Sequence, residues 1–183
     1  MYTPDTFRED QLPLMHDLMR QYSFALLATA DDNVPTVTHL PVFLLAGEGE
    51  YGTLYAHLAK ANPQWKHFEN QTESLVVFQG PHAYISPNWY ADNPSVPTWN
   101  YAAVHAYGVP HILEQGDLLQ LLQKLTTVYE QDFESPWSVD SLPEPYLKKM
   151  LKSIVRIQDG DHAPGWKMEN EPESFRKRHN TCR

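Results

Sequence analysis

The chain has 183 residues, 42% of them hydrophobic and 20% charged. That is enough to bury a full core in one domain and too apolar for general disorder. Fourteen Lys and Arg against 23 Asp and Glu give a formal charge of −9, which disfavours direct contact with DNA. The single cysteine, Cys182, excludes an internal disulfide and any Cys-x-x-Cys metal or redox motif. The start, Met1-Tyr2-Thr3-Pro4-Asp5, lacks the features of a secretion signal, and the longest apolar stretch, Val42 to Ala46, is too short to span a bilayer. A cytoplasmic protein is expected.

Residues 8–21 read as a helix with Leu12, Met15, Leu18 and Met19 on one face. Phe24 to Ala28 reads as a buried strand, Asp31-Asp32-Asn33 as a turn, and Thr36 to Leu45 as a second strand, together a hairpin. Gly47 to Gly52 is a further turn and Thr53 to His57 a third strand. Asn62-Pro63-Gln64-Trp65 predicts a short helix ending near Asn70, because Asn is a good N-cap and Pro suits the first helical position. Ser74 to Gly80 is a fourth strand. Pro81 to Tyr101, rich in proline and aromatics, reads as a long functional loop, and Ala103 to Leu113 as a strand. Asp117 is expected to cap an amphipathic helix running to about Phe133. Residues 143–151 read as helical and Ser153 to Ile157 as a last strand. The pattern describes an α+β domain over 1–158, an antiparallel barrel or curved sheet with peripheral helices, followed by a loose polar tail over 159–183.

Four features bear on function. Gly47-Glu48-Gly49-Glu50-Tyr51-Gly52 matches G-x-G-x-x-G, but a strand pattern follows where a dinucleotide site needs a helix, and two glutamates would repel phosphate; a hairpin turn fits better. His57-Leu58-Ala59-Lys60-Ala61-Asn62-Pro63 runs from a strand end through a lysine into a helix start. That is either a phosphate site or an ordinary N-cap beside a solvated lysine. The rings of Tyr84, Trp89, Tyr90, Trp99 and Tyr101 suit either a planar conjugated ligand or packing within a braced loop or an oligomer interface. The nine histidines are scattered about one per strand, without the short spacing of a zinc site, so no metal is expected. Nucleophile signatures are absent, and no catalytic residue can be named. Arg176-Lys177-Arg178 reads as a solvated basic run.

Several of these segments occur in one order that resembles a known family. They are Met1-Tyr2-Thr3-Pro4, Thr38-His39-Leu40-Pro41 and His57 through Trp65, followed by Phe78 through Pro87, Trp89-Tyr90 and Val96-Pro97-Thr98-Trp99-Asn100-Tyr101. The chain resembles the PaiB-type family of FMN-binding negative transcriptional regulators. The resemblance implies a six-stranded antiparallel split barrel of the pyridoxamine-phosphate-oxidase kind, usually a homodimer with FMN at the subunit interface. It places His57, Lys60, Ala61 and Asn62 by the FMN phosphate, Thr38 and His39 on the neighbouring strand, and Trp99 and Tyr101 by the isoalloxazine ring or the dimer seam. The family's closing lysine motif is replaced here by Lys167-Met168-Glu169-Asn170. An FMN-dependent oxidoreductase and a haem-binding or flavin-free split barrel stand as alternatives, since one fold hosts several chemistries.

Overall fold

The structure is a computed structural model and describes residues 8–31, 33–91, 94–113, 118–159 and 167–171. Helix α1 (Leu12–Gln21) leads into β1 (Phe24–Asp31) and β2 (Val34–Pro41). The two strands pair antiparallel from Phe24↔Pro41 to Asp31↔Val34. Asn33, at φ 62°, makes the tight turn between them, a conformation asparagine tolerates better than most residues. Then come β3 (Phe43–Leu45), β4 (Thr53–Ala59), a 3-10 helix over Pro63–Asn70, β5 (Ser74–Ile85), β6 (Thr98–Gly108) and β7 (His111–Ile112). Helices α2 (Leu118–Glu130) and α3 (Glu144–Leu151) precede β8 (Ile154–Asp159) and β9 (Lys167–Glu171).

Two sheets result, β2-β1-β5-β6-β9 and β3-β4-β8-β7. Among the described residues the expected six strands become nine: two predicted strands each divide where the chain crosses between sheets, and one further strand forms in the tail. The predicted strand Thr36 to Leu45 breaks at Val42, whose N–H bonds the Ser23 carbonyl at 2.8 Å. Its first half lies in one sheet and its second in the other. The predicted strand Ala103 to Leu113 breaks likewise before His111, where Pro110 has no N–H for a ladder. The expected loop from Pro81 to Tyr101 is shorter than its composition implies. Both its ends are strand, joined across Tyr84↔Trp99 and His82↔Tyr101. Proline is tolerated there because Gly80 and Pro81 sit where the β5–β6 register shifts between Gln79 and His82. The helix after Asn62 is 3-10 rather than α. Part of the expected loose tail, Lys167–Glu171, is a strand paired with β6, from Tyr107↔Lys167 to Ala103↔Glu171. Met1–Pro4, Asp32, the expected cap Asp117, and Arg176–Arg178 lie outside the described residues.

Between the sheets sits the main core, including Leu27, Leu40, Leu54, Leu58, Phe78, Val104 and Ile157, closed at one end by Met15 and Met19 of α1. The predicted apolar face of α1 is therefore the buried one. On the far side of the second sheet, Leu121 and Leu125 of α2 cover Tyr55, Phe43 and Leu45. A small, half-open apolar pocket with about 20 Å³ of room for water lies against the core, lined by Leu27, Leu40, Leu54, Val76 and Ile157 among others. Sites for drug-sized ligands run from about 300 Å³ upward. The core around it is packed, with no room at that point for a group of flavin size. No helix among the described residues is long and apolar enough to cross a membrane.

Candidate functional site

The end of β4 and the turn after it carry four of the eight candidate residues. β4 pairs with β8 through Ala59↔Ile154, and the Lys60 N–H continues that contact to the Ser153 carbonyl at 2.7 Å. The Lys60 carbonyl accepts from the Trp65 indole at 3.0 Å. The lysine backbone is therefore held from both sides, while its side chain is exposed and has no ion-pair partner among the described residues. On a chain of net charge −9 such an ammonium is a ready anion contact.

The residue two positions on behaves differently. Asn62 is an N-cap, as its position predicts: its Oδ1 accepts from the Gln64 N–H at 3.0 Å. Its Nδ2 donates to the Thr38 hydroxyl at 2.8 Å, and that hydroxyl donates to Gln64 Oε1. Gln64 is fully buried, and its Nε2 shares two protons among the Leu27 carbonyl, the Thr36 carbonyl and Thr29 Oγ1, each at 3.1 Å. Thr29 also bonds His67 Nδ1 at 2.8 Å, and His67 Nε2 lies 3.8 Å from the Asp31 carboxylate. A polar chain from Asp31 to Asn62 thus clamps the 3-10 helix onto the β1–β2 hairpin. Thr38 and Asn62 are brought together, but both are spent on the clamp. Sequence reasoning missed Gln64, because a glutamine in the first turn of a helix reads as surface.

Strand alternation separates the remaining candidates. Thr38 pairs with Leu27, which is buried, whereas His39 pairs with Leu26 and faces the other side of the sheet, exposed and stacked on Phe24 at 6.2 Å. Trp99 and Tyr101 form a separate exposed cluster with their cross-strand partners: the Tyr84 and Trp99 rings meet edge-on at 5.8 Å, and His82 lies 6.3 Å from Trp99. His57 points away from the core on β4, directly opposite Arg156 of β8, a second residue the sequence did not single out. Arg156 is 9% exposed and lies over the Tyr55 ring at 5.1 Å. Burial and the Glu48 carboxylate, which accepts from the Tyr55 hydroxyl at 2.6 Å, push that phenol up to about 12. The G-x-G-x-x-G look-alike is the β3–β4 hairpin turn, with Leu45 paired to Thr53 at its base.

Burial holds the His57 imidazole below its ordinary pKa, and its Nδ1 is buried without a hydrogen-bond partner among the described residues. The folded chain then binds a proton at His57 less readily than the unfolded chain does. Its contribution to stability is complete above the ordinary histidine value of about 6.5 and declines as pH falls from there toward the depressed folded value. Thermal unfolding followed from about pH 8 to about pH 5 should show His57→Gln losing less stability than the parent across that window. Superimposable profiles would show that burial of His57 has no such effect.

An anionic headgroup fits this corner in part. Lys60 and the exposed Ala61 are available to it, whereas the His57 Nδ1 is buried and Asn62 and Thr38 are engaged in the clamp. Among the described residues no group of three or more His, Cys, Asp or Glu could hold a metal ion.

The two sheets, their crossover strands and the packed interior define a split-barrel protein of the pyridoxamine-phosphate-oxidase type. A "Putative Pyridoxamine 5'-phosphate oxidase" from Listeria innocua superposes with TM-score 0.51 at 12% identity, over 87% of this chain and 98% of its own. The "FAD and Heme binding protein" of Mycobacterium smegmatis superposes with TM-score 0.68 at 11% identity, over 91% and 74%. The family described as "Putative FMN-binding domain" matches residues 1–159, and the chain belongs to it. The "Protease synthase and sporulation protein PAI 2" of Bacillus subtilis is 38% identical over 155 residues, 85% of this chain and 74% of that protein.

Proposed function

We propose that the protein binds FMN on the outer surface of its barrel, as a homodimer, and acts as a negative transcriptional regulator of the PaiB type. The observation that supports the flavin reading is the turn at the end of β4, where a backbone held from both sides presents the exposed Lys60 side chain. Lys60 would bind the phosphate through a charge-assisted bond, and the Ala61 amide lies next to it. His57 would face the cofactor with a neutral ring. Bound FMN would supply electron and hydride transfer, while the chain binds and orients it.

A dimer is favoured by the apolar surface left uncovered on the β1–β2 and β5–β6 hairpins. Phe24 is 67% exposed, Trp99 61% and Val37 50%, more large apolar side chain than a lone domain usually presents in strands. In a dimer, Trp99 and Tyr101 would meet the flavin ring or the seam. Regulation through a protein partner agrees better with the charge of −9 than a direct grip on DNA.

The test is an FMN titration read by flavin absorbance and fluorescence. The parent should take up FMN saturably, and Lys60→Ala should bind about tenfold more weakly, the loss of one charge-assisted bond worth about 1–2 kcal/mol. Equal affinity would remove Lys60 from the site, and a parent that takes up no FMN would overturn the flavin reading itself. DNA retention that weakens steeply as salt rises, the mark of direct phosphate contact, would argue against action through a partner alone.

A further inference from the structure

Strand β9 lies on one edge of the first sheet and covers only part of its neighbour β6. The ladder runs from Tyr107↔Lys167 to Ala103↔Glu171, whereas β6 extends to Thr98. From Thr98 to Tyr101, β5 pairs with one edge of β6, and on the other edge no strand lies among the described residues. A strand directs alternate backbone groups to its two edges, so this edge can receive a further extended segment.

The same stretch carries exposed aromatic surface. Trp99 is 61% exposed and Tyr84 46%. Tyr84 flanks Trp99 from the β5 side, and His82 lies on that side too. No ring among the described residues flanks Trp99 from the opposite side. The chain supplies a matching occupant. Each residue forward on β9 steps one residue back on β6, toward Trp99. In that register Glu173 falls opposite Tyr101, Phe175 opposite Trp99 and Arg176 opposite Thr98, the first residue of β6. Residues directly opposite in a ladder share a face, so Phe175 would come to the face that holds Trp99 and Tyr84. Phe175 is the only Phe, Tyr or Trp from Pro172 to Arg183. An edge strand accommodates Pro172 when its nitrogen faces away from β6.

We infer that residues 172–176, which lie outside the described residues, dock on this edge as a continuation of β9. Phe175 then stands against Trp99. Tyr84, Trp99 and Phe175 make one aromatic row across three strands, an arrangement that cross-strand ring pairs favour. The backbone groups on this edge of β6 gain partners in the same step, as in any strand addition. The row covers part of the hairpin surface proposed to meet the flavin ring or the dimer seam, yet it forms without either.

The test is made on the full chain without FMN, by NMR ring-to-ring contacts and amide hydrogen exchange. The Phe175 and Trp99 rings should show direct cross-relaxation, and the amides over 98–101 that face away from β5 should exchange slowly. If Pro172 turns its nitrogen away from β6, the Glu173 N–H faces it, because the two edges alternate. Glu173→Pro should therefore break the ladder and speed exchange of those amides about tenfold or more, while the β1–β2 amides stay as they were. Phe175→Ala should move the Trp99 indole resonance and leave the core resonances in place. No Phe175–Trp99 contact in the parent, or exchange over 98–101 that Glu173→Pro leaves unchanged, overturns the docking. So does an indole resonance of Trp99 indifferent to Phe175→Ala. Protection that appears only as protein concentration rises and ignores both substitutions would give the edge to a second copy, and would overturn it as well. No flavin is present in these measurements, so a chain that fails to bind FMN leaves their outcome as it stands.

Discussion

Replacing Gln64 by alanine should lower the unfolding free energy by about 3–5 kcal/mol, a large share of what a domain of this size commands. The side chain is wholly buried and serves four partners: the Leu27 and Thr36 carbonyls, Thr29 Oγ1 and the Thr38 hydroxyl. Truncation orphans them together, and an unsatisfied buried group costs about 1–3 kcal/mol, moderated here by water entering the space. Chemical denaturation gives the value directly. Gln64→Glu is the sharper control. It keeps the volume and supplies no Nε2 donor, so it should remain at least about 2 kcal/mol below the parent near neutral pH. A loss under about 1 kcal/mol in both variants would mean that the clamp between hairpin and helix contributes little.

The second large effect is expected at Gly52. Its φ is +91°, a conformation that side chains with a Cβ rarely adopt. A Cβ built there would lie 2.8 Å from Leu44 Cδ1 and 3.3 Å from His16 Nε2. Leucine can rotate away, but only by disturbing a buried neighbour. His16 cannot yield cheaply, because its Nε2 donates to the Tyr51 carbonyl at 2.8 Å and thereby ties α1 to the turn. Gly52→Ala should therefore cost about 2–4 kcal/mol from dihedral strain and crowding together. Gly47, on the same turn, has open space around a Cβ and no positive φ. Gly47→Ala should lie within about 0.5 kcal/mol of the parent. Equal effects at the two glycines, read by thermal unfolding, would contradict this account of the turn.

These two residues show where sequence reasoning was strong and where it stopped. The hairpins were legible because Asp31-Asp32-Asn33 and the glycines of 47–52 are turn chemistry, and the apolar stripes of α1 and α2 announced their buried faces. The N-cap at Asn62 was legible for the same local reason. Strand crossing at Val42 was not, since a strand that changes sheets keeps its pattern and changes only its partners. Burial of Gln64 was invisible because it depends on four acceptors and donors gathered from two distant strands. Arg156 was invisible as well, since only the β4–β8 register sets it across from His57. Of the candidate site, the segment from His57 to Asn62 was readable as a unit, but the division of labour within it was not. The lysine faces outward, while the asparagine serves the fold.

That division has a consequence for the life of the protein. The clamp of Asn62, Thr38 and Gln64 completes its own hydrogen bonds, so the turn after β4 holds its shape without any guest. Under the proposed function, the flavin-free form would be a durable species rather than a half-folded precursor, and occupied and unoccupied molecules would coexist at ratios set by supply. A regulator built this way would report scarcity as faithfully as abundance.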